Sequence, residues 1–207
     1  MSKKHIADDY EEMLQFYDSK GEALGILPRK DIHKKELINK HVAYAITNSR
    51  QEILLQLRTK DKSVNANQWD KPGGHVGINA SLAEEFLEEI CYNISGINAI
   101  IVSPKDYDLV LQNIDLSKTA VLMKLETLLN YNARRIKQDG SEKIEVIHLE
   151  LFKGRYDGPT CPQPGEVQKI KSFSRNELEE VILNAPRIIG NDMKDIMQKY
   201  ADVIFSK

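Results

Sequence analysis

The sequence predicts a mixed α/β fold of the α+β kind, and three observations predict it. Short apolar runs with two-residue alternation come in pairs around glycine-bearing turns, as in "MLQFYDSKGEALGIL" and "ARRIKQDGSEKIEVIHLELF". Stretches with apolar residues every three or four positions open on serine caps, as in "SLAEEFLEEI" and "SRNELEEVI". The two kinds of segment are interspersed along 207 residues, with no internal repeat and no low-complexity tract.

In chain order, residues 1–12 are polar and read as a flexible segment, frayed or loosely helical. "EMLQFYDSKGEALGILPR" reads as a hairpin turning at Ser19, Lys20 and Gly21, and "KDIHKKELI" as a connecting segment. His41 to Thr47 and Ile53 to Arg58 form two strands around Asn48, Ser49 and Arg50, and a polar loop follows. Ser81 to Glu84 fits a capping box, in which serine and glutamate side chains reciprocally satisfy backbone N–H groups. Leu82, Phe86, Ile90 and Ile94 then make one apolar stripe, while Glu84, Glu85, Glu88 and Glu89 occupy the other face and Ser95-Gly96 ends the helix. "NAIIVSP" is a strand, and "DLSKTAVLMKLETLLNY" reads as helical from about Leu116. A hairpin around Asp139-Gly140, a loop with three prolines, a last strand "VQKIKSFS" and two helices complete the chain. The expected organisation is one domain over residues 13–207, with a helical insertion around 105–132.

Composition excludes several classes. Apolar residues make up 41% and charged ones 29%, and the formal net charge of −2 argues against a nucleic-acid binder that works by bulk charge. The two cysteines, Cys91 and Cys161, are far apart in sequence and in no CxxC pattern. That disfavours a disulfide scaffold or zinc ribbon and fits a reducing cytoplasm. No apolar run approaches 18 residues, so neither a membrane span nor a membrane partner is expected. Trp69 is expected to pack over the neighbouring glycine turn, and His148, alternating within a strand, to be structural.

The chemistry concentrates in "WDKPGGHVGINASLAEEFLEEICYNISG". A glycine pair allows turns that a Cβ forbids, and N–H groups beside a helix start suit phosphate oxygens. Carboxylates three and four residues apart on one helix face can share divalent cations that bridge to a diphosphate. The segment Gly74 to Gly96 resembles the Nudix box, in which a glycine and a glutamate precede Arg-Glu-aliphatic-x-Glu-Glu-x-Gly-aliphatic. The resemblance extends over roughly residues 14–200. "FYDSKGEALGILPRKDIHKKELINKHVAYAITNSRQEILLQLRTKDKSVNANQWDKPGGHV" and "GRYDGPTCPQPGEVQKIKSFSRNELEEVI" look like the two halves of isopentenyl-diphosphate-isomerase-like Nudix proteins. It implies the Nudix fold, a mixed β-sheet sandwiched between helices.

Two registers align the box. Without gaps, Ala80 replaces the first glutamate, Glu88 stands at the arginine, Glu89 keeps one carboxylate, and Tyr92, Asn93 and Ser95 replace the rest, so the box is degenerate. Sliding four residues restores Glu85, Glu88 and Glu89 but shortens the loop and disturbs the Ser81 cap. The ungapped register is preferred, and Glu89 is a ligand candidate in both.

The resemblance also implies a second metal set at His33, His41, His75 and Glu145, although His33 and His41 stand one residue further apart than expected and Lys143 occupies the place of a partner to Glu145. It implies a diphosphate clamp of Arg29, Arg58 and Lys62, with the backbone of Gly73 and Gly74 beside it. The catalytic cysteine of the isomerases would precede Gly74-His75, where this chain has Gly73.

The expected function is therefore metal-dependent hydrolysis of a small diphosphate-containing substrate, a nucleoside diphosphate derivative or an isoprenoid-like diphosphate. Mg²⁺ or Mn²⁺ would serve as cofactor, Glu85, Glu88 and Glu89 as catalytic groups, and Glu85 and Glu89 with the histidine set as metal ligands. A catalytically inactive diphosphate-binding module is the alternative, an isomerase a more distant one, and a homodimer a candidate assembly.

Overall fold

The computed structural model describes residues 9–206. Six strands run side by side in the order β2 (Ala23–Pro28), β1 (Met13–Tyr17), β3 (Ile38–Thr47), β8 (Glu142–Arg155), β7 (Thr119–Ile136) and β6 (Asn98–Val102). β3 and β8 pair in parallel from Asn39↔Ile147 to Thr47↔Arg155, whereas β7 and β8 are antiparallel, so the sheet is mixed. β4 (Ile53–Arg58) leaves β3 through a tight turn and pairs with β5 (Trp69–Asp70) and β9 (Val167–Phe173).

The run Val42-Ala43-Tyr44-Ala45-Ile46 in β3 explains the layering. It is buried throughout, as a central strand covered on both faces must be. Val42, Tyr44 and Ile46 pack against Phe86 and Ile90 of helix α2 (Leu82–Ile90). Ala43 and Ala45 face the other way, toward Leu178 of helix α4 (Arg175–Asn184) and Met193 and Ile196 of helix α5 (Asn191–Ile204). Small residues on that side let the long C-terminal helix lie close over the strand. Two short helices, α1 (Arg29–Lys34) and α3 (Tyr107–Asn113), fill connections, the first within the segment read as a simple connector.

Both serine-capped helices form as expected, each with a complete capping box, at Ser81/Glu84 and Ser174/Glu177. Several expectations are corrected. The stretch read as helical from Leu116 is the 18-residue strand β7, so α3 is the one helix in the expected insertion. Register shifts between Lys124 and Glu126 and between Leu128 and Tyr131 interrupt its alternation, and its leucines, lysine and glutamate favour helix locally. Pairing with both β6 and β8 overrides that preference.

Helix α2 ends at Ile90, one turn before Ile94, where Cys91 takes the C-cap and Asn93 turns with φ 57°. Trp69 does not cover the glycine turn: it meets Phe173 edge-on with ring centroids 5.1 Å apart, as part of the core under α5. Of the N-terminal segment, residues 1–8 lie outside the described residues. Residues 9–12 are held by structure, since Arg29 N–H donates to the Glu12 carbonyl at 2.8 Å and the two side chains form an ion pair at 3.5 Å. His148 is buried and structural, its ring nitrogens bonded to Asp18 O and Asn130 N–H at 2.8 and 3.2 Å. Among the described residues no helix is long and apolar enough to cross a membrane.

Candidate active site

One cleft of about 650 Å³ gathers the residues singled out from the sequence: Arg29, His33, His41, Arg58, Lys62, Gly73, Gly74, His75, Glu85, Glu88, Glu89 and Glu145 all line it. They come from six places in the chain, and the local folding brings them together.

Residues 72–76 run antiparallel to the start of β3. Tyr44 N–H donates to Pro72 O at 3.0 Å, Val42 N–H to Gly74 O at 2.9 Å, and Val76 N–H to Lys40 O at 3.0 Å. Gly73 makes this possible, with φ +132° and a Cα so close to β3 that a Cβ would lie 2.1 Å from Val42 O. The resemblance to the isomerases would put their thiol at this position, and the backbone leaves no room for any side chain there.

Beyond the turn, Gly77 N–H donates to Glu85 Oε1 at 2.8 Å, and Gly73 N–H to Glu89 Oε2 at 3.3 Å. The acidic face of α2 is thereby stitched to the glycine loop at both ends. Glu85, Glu88 and Glu89 point into the cleft, while Tyr92 and Asn93 lie past the helix end. The slipped register places three carboxylates in the cleft, and it does so with the Ser81 cap intact. The conflict foreseen between cap and loop length does not arise, because the loop from Gly77 to Ala80 closes in a tight turn with Ala80 N–H donating to Gly77 O at 3.3 Å.

Burial dominates the electrostatics of Glu85 and Glu89. Burial pushes the Glu85 carboxyl up to about 7, the Gly77 N–H opposes this, and Glu88 and Glu89 add to it. Glu89 is also raised, first by its enclosure, against the Gly73 N–H, Lys62 and Gln56. A hard divalent cation is the partner that would relieve such a cluster, so the carboxylates suit Mg²⁺ or Mn²⁺ in chemistry, although among the described residues no three of them stand at ligating distance from one point.

A stability prediction follows from the sign of the Glu85 shift. Its folded-state pKa lies above the ordinary 4.5, so folding favours the protonated form. In metal-free protein its contribution is fully present below about pH 4.5 and is lost as pH rises to about 7. Glu85→Gln removes that loss. Discounted for solvent contact, the variant should exceed the parent by about 1–2 kcal/mol at pH 8 and match it at pH 4. Urea unfolding in the presence of a chelator measures the difference; equal stability at both pH values would refute the shift.

The histidines form a second group. His41 and His75 lie on facing strands with ring centroids 4.3 Å apart, and His33 meets His75 edge-on at 5.6 Å. The Nε2 atoms of all three are buried without a hydrogen-bond partner. Burial, followed by neighbouring positive charge, holds His41 well below the usual histidine range, and burial with the adjacent His41 does the same to His75. Neutral imidazoles with unshared lone pairs are the donors that a borderline transition metal takes. His33 Nδ1 lies 3.3 Å from Glu145 Oε1, an arrangement that directs Nε2 toward the cleft. As placed, however, no three His, Cys, Asp or Glu side chains among the described residues converge on a common point at ligating distance. Glu145 is moreover committed to Lys143 at 2.8 Å and Arg135 at 3.5 Å. Although burial alone would raise it, the His33 and Lys143 hydrogen bonds and the Arg135 charge hold its carboxyl well below the usual range.

The expected diphosphate clamp is present but engaged. Lys62 pairs with Glu166, Arg29 with Glu12 at 3.5 Å, and Arg58 donates to Val64 O at 3.2 and 3.4 Å. Lys60, the middle member of the alternating basic run, does not line the cleft.

Sequence reasoning missed Gln56, Lys71, Arg135, Glu166 and Asp192, which also line the cleft. Arg135 was within reach: a turn at Asp139-Gly140 sets Lys143 opposite Arg135 and Glu145 opposite Ala133. Asp192, in the first turn of α5, gave no signal beyond an ordinary acidic helix start.

No family model matches the chain. Over 87 residues it is 30% identical to an uncharacterized Nudix hydrolase from Pseudomonas aeruginosa, covering 42% of this chain and 52% of that protein. The chain thus spans about half the length of the curated relative it matches. The crystal structure of DR0079 from Deinococcus radiodurans superposes with a TM-score of 0.60 at 15% identity, over 91% of this chain and 98% of that one, and shows a shared fold. A MutT protein from Methanosarcina mazei gives a TM-score of 0.48 at 17% identity, over 79% and 93% of the two chains. Over part of its length the chain is thus similar in sequence to a Nudix hydrolase, and it shares its fold with DR0079.

Proposed function

We infer that this chain hydrolyses a small diphosphate-containing molecule with the help of a divalent cation. The observation that carries the reading is the placement of Glu85, Glu88 and Glu89 on one helix face behind a glycine turn, in the same cleft as Arg29, Arg58 and Lys62. A bound Mg²⁺ or Mn²⁺ would supply Lewis-acid polarisation of the phosphoryl oxygens. Glu89 would hold it with Glu85 or Glu88, and the carboxylate not so engaged would take the proton of the attacking water. Arg58 and Lys62 would exchange Val64 O and Glu166 for phosphate oxygens, neutralising charge as it develops on the leaving group. The three histidines, with Glu145, would provide the second metal set that the isomerase-like resemblance implies. Gly73 argues against isomerisation itself, since that position can present no acid.

An inactive diphosphate-binding module is the second reading, and the ion pairs closing Lys62 on Glu166 and Glu145 on Lys143 are what favour it. ³¹P NMR with a pool of nucleoside, sugar and isoprenoid diphosphates separates the two. Hydrolysis predicts new phosphate resonances with Mg²⁺ or Mn²⁺ and none after chelation. One resonance broadened without turnover would establish the binder, and an unchanged pool would refute both.

A further inference from the structure

We propose that Cys91 and Cys161 form the site of a reversible disulfide, an inference independent of the hydrolase reading. Seventy positions separate them in sequence, yet they are partners in an isolated parallel β-bridge. Cys161 N–H donates to Ile90 O at 2.9 Å, and Tyr92 N–H donates to Cys161 O at 3.1 Å, so the backbone on both sides of Cys91 holds Cys161 opposite it. Partners in such a bridge have Cα atoms ~4.8 Å apart and side chains on one face. That lies inside the range of about 4.4–6.8 Å spanned by disulfides. Both sulfurs turn to the same proline-rich loop, Cys91 Sγ lying 3.8 Å from Pro159 O and Cys161 Sγ 4.0 Å from Pro162 O. Both are free thiols.

Their unequal burial sets the order of events. Cys161 is partly exposed, whereas Cys91 is 4% exposed and also bonds Tyr156 through its sulfur at 3.3 Å. A small-molecule disulfide reaches Cys161 first. The Cys161 thiolate attacks it, forming a mixed disulfide and releasing one small thiol, which takes up the proton Cys161 lost. Cys91 then gives up its proton and attacks the Cys161 sulfur, expelling the second small thiol, which takes up that proton. The two protein thiols are oxidised to one disulfide, and the small disulfide is reduced to two thiols. Burial raises the Cys91 thiol, which makes ring closure the slower step.

The bridge would join two walls of the cleft. Cys91 caps α2, which carries Glu85, Glu88 and Glu89, and Cys161 belongs to the loop that presents Gln163 and Glu166 to the cleft. Oxidation would fasten that loop to the end of the acidic helix.

The test is peptide mapping of the folded full chain after incubation with oxidised glutathione, with Cys161→Ser in parallel. The expected result is a single intramolecular Cys91–Cys161 crosslink, reversed by dithiothreitol and absent from the variant. The thermal midpoint of the parent, and not of Cys161→Ser, should rise by roughly 5 °C or more on oxidation. Three results would overturn the proposal: a stable mixed disulfide at Cys161 that never closes, an intermolecular crosslink, or both thiols still open to alkylation after the oxidised protein is denatured.

Discussion

Glu89→Gln should lower diphosphate hydrolysis by about 10²–10⁴-fold while leaving the protein folded and no less stable. The two halves of this result have one origin. Glu89 accepts from Gly73 N–H at 3.3 Å and from Gln56 Nε2 at 3.4 Å, and a glutamine carbonyl oxygen can accept the same Gly73 bond. The turn therefore survives the substitution. What is lost is the negative charge and the basicity, the properties that a cation and an attacking water would use. Enclosure raises this carboxyl, so in metal-free protein the charged form is a liability to the fold. Glutamine removes that liability. A residue with a merely structural role would behave differently, losing stability and turnover together. The measurement pairs steady-state hydrolysis of whichever diphosphate the NMR pool identifies with urea unfolding under a chelator. Undiminished turnover in the variant would remove Glu89 from the catalytic set.

Expected and observed structure part company where local and tertiary preferences disagree. The α2 cap was legible because a capping box is a local device: Ser81 and Glu84 bond each other wherever the helix begins. The glycine turn was legible for a similar reason, since only glycine tolerates the approach of Gly73 to Val42 O. β7 was not, because its bulges break the two-residue period and its composition favours helix until β6 and β8 lie on either side. The register of the glutamates was undecidable from periodicity, as a four-residue slip returns the same apolar stripe of Leu82, Phe86 and Ile90. Distance in space is what bears on it, through the reach of Glu85 to Gly77 and of Glu89 to Gly73. Site residues supplied by motifs were therefore named in advance. Those supplied by packing, such as Lys71, Arg135 and Asp192, were not.

Those three residues carry the second large effect. Asp192 is 1% exposed and accepts from Arg135 and from Lys71 Nζ at 3.3 Å. Asp192→Asn keeps the shape but leaves two buried cations sharing the remaining carboxylates, Asp70 at 3.4 Å from Lys71 and Glu145 at 3.5 Å from Arg135. Breaking a buried pair in this way costs about 3–5 kcal/mol, because the stranded charge stays desolvated. Burial alone would raise Asp192, but Lys71 and Arg135 hold its carboxyl well below the usual range. Its contribution is thus present above the ordinary aspartate value of 3.8 and lost as pH falls through the lower folded-state value. The gap between parent and variant should therefore be widest near neutral pH and close in strong acid. Asp195, one turn along α5 and paired with exposed Arg134 at 2.7 Å, is the control; Asp195→Asn should cost less than about 1 kcal/mol. Equal losses for the two variants would mean that the buried network adds nothing beyond an ordinary surface pair. An unequal result would tie the C-terminal helix to the cleft: Gly190, whose Cβ would meet the Asp70 carboxyl at 2.7–2.9 Å, lets α5 begin close enough for Asp192 to anchor Arg135. Arg135 in turn helps hold Glu145 beside His33, so the last helix of the chain sets the floor on which the metal-ligand candidates stand.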